Sequence, residues 1–532
     1  MQNRKNRRAT RATGARPRQK PGVAPPMGPP PDKINGLVAL YKQGRLEELL
    51  KRGKVLSRKY PNAIIVHNLL GAANAGLGRL PEAIAVYTRA LEISPDSAEV
   101  YNNLGLALKS AAKYDEAIAN FAKALRIKPD SVEVHINLCT IYDELNRGAD
   151  LVSALQAAWN NGLEENPYII LLLAKSTNRN KDYEQTLSYL EKIDLEGLPT
   201  KDQRAYFNIF GTYYDGLGLF DKAFAQFEKQ NEIARAMLPD KLDPQGHLDG
   251  IVRLATSWKS GAVSDWSATA EAEAAEDTSL AFLVGFPRSG TTLLDTVLLG
   301  HPQITVFEER PMVARMRDEF GRTPLLEDLN NLTSPQIRGL RGAYLDELQR
   351  HGGKLELDTL FVDKHPMNIR SVGFIHRVFP KAKFVLALRH PCDCVLSCFM
   401  QNFMLNDATA NFLSLAQSAK LYAAAMELWS TYTASLNLDT FLVKYEDLVE
   451  DLRGTAGPLI EFLGLRWDDK ALEFQETAKN RGIIPTPSYA ELAKPLYGQA
   501  RGRWKNYSEQ MKPVLPLLQA WIDEFGYRDE RM

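Results

Sequence analysis

Gly285 and Gly290 bracket Arg288 and Ser289, and Thr291 and Thr292 follow at once. The apolar run 280–284 ahead of this loop reads as a buried strand. Leu293, Leu294, Val297 and Leu298 behind it fall on one face of a helix. A strand, a glycine-bounded loop and a helix N-terminus together aim backbone N–H groups at one anion. Glycine at both ends lets the backbone approach that anion closely. Arg288 adds a planar, permanently charged guanidinium, which grips phosphate or sulfonate oxygens bidentately and needs no metal to do so. A chance glycine spacing in a solvent loop is the bland alternative, and the strand and helix on either side argue against it.

Three further groups sit where apolar runs end. Phe307-Glu308-Glu309-Arg310 follows the run 304–306. A carboxylate at a strand end beside a phosphate loop can take a proton from an acceptor hydroxyl; an ordinary charge cluster paired with Arg310 is the competing reading. Adjacent residues leaving a strand point to opposite sides, so only one of Glu308 and Glu309 should face an acceptor. Phe361-Val362-Asp363-Lys364-His365-Pro366 places a lysine where a strand gives way to a helix, with Pro366 in its first turn. His365 beside it is a second candidate base. Arg389, after the run 384–388, has Ser397 eight residues on, two turns along a helix.

The loop departs from the nucleotide-triphosphatase pattern, which needs Gly-Lys-Ser/Thr: Thr291 stands at the lysine position. Phe286-Pro-Arg-Ser-Gly-Thr-Thr292 instead resembles the 5′-phosphosulfate loop of the sulfotransferases, most closely the tyrosylprotein-sulfotransferase branch and its bacterial relatives that carry tetratricopeptide repeats. The resemblance spans about residues 278–510. It implies 3′-phosphoadenosine 5′-phosphosulfate (PAPS) as sulfonate donor, with Arg288, Ser289, Gly290, Thr291 and Thr292 at its 5′ end and Arg389 and Ser397 at its 3′-phosphate. It implies Glu309 as general base, counted without a gap from the loop, and Lys364 as the cation on the bridging oxygen of the leaving phosphate. Tyr445 resembles a nucleotide-contacting tyrosine, although a core aromatic at a strand end is nearly as good a reading. The segment 487–507 resembles the loop that closes over the nucleotide, with Lys494, Arg501 and Arg503 as candidates. Two departures stand out: His365 replaces an expected acidic residue, and Gln401 replaces an arginine. No metal is implied, and the acceptor, a hydroxyl or amine on a protein, carbohydrate or lipid, stays open. A P-loop kinase or NTPase and a non-catalytic repeat scaffold are the rival classes.

Positioning these residues takes an alternation of apolar runs and helical patterns from residue 280 to 443, which predicts a parallel sheet with helices on both faces. Upstream, Pro61, Pro95 and Pro129 recur at 34 residues. Leu70-Gly71, Ala83, Tyr87 and Ala90 return as Leu104-Gly105, Ala117, Phe121 and Ala124. This is the tetratricopeptide pattern. About six helix pairs are expected between residues 33 and 240, the fourth and fifth irregular, with Phe210-Gly211, Ala223 and Phe227 restoring the pattern. The expected division is a disordered basic, Pro-rich tail (1–32), a repeat array with a connecting helix (33–262), an acidic linker (263–277) and a sulfotransferase domain (278–532) able to fold alone.

The 532 residues carry no net charge, but 1–31 hold eight Lys/Arg and no acid, leaving 57 Lys/Arg against 65 Asp/Glu. A nucleic-acid surface on the folded part is therefore not indicated. The four cysteines read as reduced thiols. No apolar run approaches the ~18 residues of a membrane span, so a cytoplasmic protein with a protein partner on the repeats is expected.

Overall fold

A computed structural model describes residues 28–266, 280–352, 359–480 and 501–527. The basic tail up to residue 27, most of the acidic linker, and Lys494 with its surrounding segment lie outside the described residues. Two compact units form, Met1–Val134 and His135–Met532.

In the first unit, α1 (Pro31–Lys42) to α6 (Tyr114–Ile127) make three helix pairs. Pro61, Pro95 and Pro129 each follow a helix end by two residues, where a missing N–H costs nothing. The pattern residues pack as the repeat demands. A Cβ on Gly71 would lie 2.5 Å from Tyr87, and one on Gly105 2.6 Å from Phe121, so the small residue makes room for the aromatic.

The pairing continues through α7 (Val132–Glu144), α8 (Gly148–Ala158), α9 (Pro167–Arg179), α10 (Tyr183–Leu190), α11 (Thr200–Gly216) and α12 (Phe220–Ala236). Among the described residues of the second unit α9 pairs with α10 and α11 with α12, and the irregular stretch lies at α8 to α10. A π-turn, Trp159–Leu163, extends α8, and α10 has only 8 residues. Helix α13 (Pro244–Ser260) follows.

Five parallel strands form the sheet: β1 (Leu280–Gly285), β2 (Ile304–Glu308), β3 (Leu360–Lys364), β4 (Lys383–Leu388) and β5 (Asp439–Lys444), in the order β2-β3-β1-β4-β5. The apolar runs 280–284, 304–306 and 384–388 fall on β1, β2 and β4. Side chains alternate between two buried faces. Ala281, Leu283, Val362 and Val385 pack against Leu293, Leu294, Val297 and Leu298 of α14 (Thr291–Leu299). Phe282, Val284, Phe384 and Leu386 pack on the opposite face, against α15 (Met312–Phe320), α16 (Ser334–Gly352) and the long helix α18 (Leu415–Ser435). Helix α17 (Pro391–Met400) follows β4.

The same core includes Ala223 and Phe227 of α12 and Leu248, Ile251, Leu254 and Trp258 of α13. The structure thus divides the chain at 134/135 rather than at the linker expected over 263–277. The reason is packing: the last repeat pair and the connecting helix spend their apolar faces on the sheet domain. No described helix is long and apolar enough to cross a membrane.

Candidate active site

The loop after β1 turns through two left-handed residues, Arg288 (φ 71°) and Gly290 (φ 92°). Gly290 is the N-cap of α14. This turn presents the first N–H groups of the helix, which have no partner within it, to whatever lies in front of the loop. Neither glycine tolerates a side chain. A Cβ on Gly285 would lie 2.7 Å from the Ala387 carbonyl oxygen and 2.8 Å from Ser289 Oγ, and one on Gly290 would lie 2.6 Å from Tyr445 Cδ2. Ser289 Oγ is buried with no hydrogen-bond partner among the described residues. A cradle of converging N–H groups and a buried hydroxyl without a partner fit an anion such as phosphate or sulfonate.

Arg288 reaches away from the loop. Its Nε donates to Ser397 Oγ at 3.0 Å. Arg389 is buried; it donates to the Arg288 carbonyl oxygen at 3.3 Å, stands 3.9 Å from the Asp393 carboxylate and lies 5.1 Å over the Tyr445 ring. Arg288, Arg389, Ser397 and Arg503 line one small cavity of about 20 Å³. Strand-end and helix residues far apart in sequence therefore meet, and Arg288, expected at the 5′ end of the donor, turns toward Ser397. Arg501 instead pairs with Glu450 at 3.1 Å, among exposed side chains.

Lys364 is fully buried, at the end of β3. Its Nζ lies 2.8 Å from Glu308, 3.2 Å from Glu309 and 3.3 Å from Asp295 of α14. Burial pulls its pKa down, but the three carboxylates outweigh this and raise it above the usual lysine value. The resemblance implied a role for this lysine on the bridging oxygen of a leaving phosphate; among the described residues its ammonium meets carboxylates. The ammonium is committed to carboxylates because a buried charge must be paired. Glu308 and Glu309 also fail to diverge. Glu309 has φ 50°, and its N–H donates to the Lys364 carbonyl oxygen at 2.7 Å. This left-handed turn folds both carboxylates onto one ammonium.

A cavity of about 410 Å³ joins these parts. Arg288, Gly290, Thr291 and Thr292 line it, together with Glu309 and His365; Glu308 does not. The Glu309 side chain is 38% exposed and that of Glu308 10%, so Glu309 is the carboxylate within reach of an acceptor. Burial, with help from Lys364, Arg317 and Arg370 and against Glu309, pushes His365 below the ordinary histidine pKa, so its ring is neutral at neutral pH.

The remaining walls were not visible in the sequence. His247 comes from α13, Arg317 and Arg370 from positions with no motif, and Phe403 and Phe412 from the strap after α17; Arg310, named in the glutamate motif, also lines the cavity. Arg370 donates to Thr323 at 3.2 Å, and no carboxylate lies within 4 Å of Arg317 or Arg370 among the described residues. Burial and Arg317 depress Arg370 to about 10, and burial with Arg370 depresses His247 to about 4. This part of the cavity is strongly positive.

Residues 281–469, which span the loop, the lysine cluster and the Arg389 helix, match the Sulfotransferase family. The chain carries a sulfotransferase domain. Residues 75–111 and 98–131 match the TPR repeat and Tetratricopeptide repeat families, so the upstream helices are repeats of that type. The chain is similar, at 27% identity over 252 residues, to an uncharacterized protein of Aquifex aeolicus; the match covers 45% of this chain and 32% of that protein. It thus spans about a third of that relative's length. It is 26% identical over 259 residues to Protein-tyrosine sulfotransferase 1 of Danio rerio, which covers 46% of this chain and 72% of that protein. Among solved structures, the sulfotransferase domain of the Synechococcus PCC 7002 olefin synthase is similar over 42% of this chain and 86% of that one, at 22% identity and a TM-score of 0.32.

Proposed function

We propose that the sulfotransferase domain moves a sulfonate from PAPS to a hydroxyl or amine, with Glu309 as general base. The observation that carries the reading is the convergence of Arg288, Arg389 and Ser397 on one side of the loop and Glu309 on the cavity at the other. A 5′-phosphosulfate fits the loop N–H groups, Ser289, Thr291 and Thr292, and a 3′-phosphate fits Arg389 and Ser397. Tyr445 lies between Gly290 and Arg389, where a nucleotide joins the two. Lys494 remains part of this proposal from the family resemblance alone.

PAPS supplies an activated sulfonate. The chain's own residues do the rest. Glu309 accepts the acceptor's proton at its carboxylate, and Lys364 holds that carboxylate in place through the 3.2 Å bond. The helix N-terminus stabilises negative charge that grows in front of the loop without reorganising to do so, and Arg288, turned toward Ser397, adds its positive charge from the side. Arg317 and Arg370 favour an acceptor that carries a negative charge near its reacting group. The repeats serve as a protein-interaction module.

The test is which nucleotide the full chain binds. Adenosine 3′,5′-bisphosphate at 100-fold excess over Kd should add about 2.7 kcal/mol of apparent stability, seen as a raised Tm. ATP with magnesium should add little. The reverse order would indicate a P-loop kinase or NTPase, and no response to either would leave a repeat scaffold.

A further inference from the structure

We propose that Asp215, at the end of repeat helix α11, is a positioning residue for the nucleotide pocket: it fixes Arg503 as a third guanidinium beside Arg288 and Arg389. This rests on the reading of that pocket as a 3′-phosphate site. Asp215 Oδ2 lies 2.7 Å from Arg503, and Asp215 Oδ1 accepts from Tyr507 Oη at 2.6 Å. The backbone on both sides of Arg503 is pinned separately. Asp393, on the helix that carries Ser397, accepts from the Gly502 N–H at 2.8 Å and the Trp504 N–H at 2.9 Å. Trp504 stacks on His390, with ring centres 4.9 Å apart. Main chain held by α17 and side chain held by α11 leave the guanidinium in the cavity wall with Arg288, Arg389 and Ser397.

Three guanidiniums and one carboxylate, Asp393, line this small cavity, so positive charge is in excess there and favours an anion. Asp215 is a carboxylate at hydrogen-bond distance from Arg503, and it orients the arginine from outside the cavity. A charged group held in place loses less freedom on binding, so the fixed arginine binds more tightly than a mobile one. The helical region would therefore set the affinity of the nucleotide site in the other part of the same unit. A tie that merely fastened the C-terminal segment would affect all ligands alike.

The experiment titrates the full chain with adenosine 3′,5′-bisphosphate and with adenosine 5′-monophosphate by calorimetry. Asp215→Asn should weaken the bisphosphate about 10-fold, part of the worth of one charge-assisted bond, and leave the monophosphate within about two-fold. Arg503→Gln should show the same selective loss at least as large, and Asp215→Asn added to it should cost no more, because coupled residues are not additive. Asp215→Glu should restore most of the selectivity. Tyr507→Phe loosens Asp215 more mildly and should shift the bisphosphate in the same direction, which keeps a test if Asp215→Asn fails to fold. Equal losses for both nucleotides, no loss, or tighter bisphosphate binding would overturn the assignment. If the unaltered chain binds neither nucleotide, the donor reading itself falls, and this inference with it.

Discussion

Lys364 is an ammonium shared among three carboxylates, with Glu309 the member that opens onto the cavity. This arrangement separates the candidate bases. Glu309→Gln keeps the shape and removes the proton acceptor, so turnover should fall by about 10²–10⁴ in kcat while adenosine 3′,5′-bisphosphate binding stays nearly intact. Glu308→Gln and His365→Asn should each cost much less. The pH profile checks the same point. His365 has a lowered pKa, so it is neutral at pH 7 and takes up a proton only as the pH falls below the ordinary histidine value. An acidic limb that survives His365→Asn and disappears in Glu309→Gln supports the carboxylate; a limb removed by His365→Asn would transfer the role to the histidine. Arg288, Arg389 and Ser397 were legible as candidates because each follows a strand-ending apolar run at recognisable spacing. The lysine cluster was not. Asp295 carries no motif, and the left-handed turn at Glu309 is a backbone state for which glutamate has no preference.

At the scale of elements, the strand–loop–helix from Leu280 to Leu299 was readable because its punctuation is local: an apolar run, two glycines, an amphipathic helix. Strand order was not. Nothing in the spacing of the runs places β1 between β3 and β4, since parallel pairing is decided by distant packing. The central place of β1 puts its loop beside the ends of β3 and β4, where Lys364 and Arg389 lie. Gly290 makes this testable. Its φ of 92° suits glycine, and its Cβ would strike Tyr445. Gly290→Ala should cost about 1–3 kcal/mol of stability for the strained backbone and weaken adenosine 3′,5′-bisphosphate at least tenfold, by melting and by titration. Adding Tyr445→Ala removes the clash but not the strain, so it should rescue the variant only in part. Full rescue would place the whole effect on the ring.

At the scale of the molecule, the repeat period was clear from the sequence, but where the array stops being an independent solenoid was not. The same small and aromatic positions serve repeat stacking at Gly71–Tyr87 and, at Gly211–Phe227, a helix pair that also covers the sheet domain. Beside that apolar packing, several of the side chains that do the joining are polar and carry no periodic signal. Asn231 and Asn208 donate to the Phe399 and Met400 carbonyl oxygens at 2.9 and 3.1 Å, and Gln230 to that of Gln401 at 3.4 Å. These satisfy carbonyls that the end of α17 leaves without helical partners. Arg204 does the same for Phe403 in the strap that walls the cavity. The domain boundary follows from this. A chain beginning at residue 278 lacks α11 to α13, so it exposes the core faces under Leu248, Ile251, Leu254 and Trp258 and strands those carbonyls. Burial of four such side chains contributes on the order of 6–12 kcal/mol, comparable with the about 5–15 kcal/mol stability of a whole domain. A chain of residues 278–532 should therefore be insoluble or molten, with near-ultraviolet dichroism lost and no cooperative melt. A chain of residues 135–532 should unfold in one transition and bind adenosine 3′,5′-bisphosphate within a few-fold of the full protein, because Asp215, Arg503 and the cavity strap are all retained. If 278–532 melts cooperatively and binds the nucleotide as tightly as 135–532, the repeat helices are an accessory to the sulfotransferase domain rather than a part of its core.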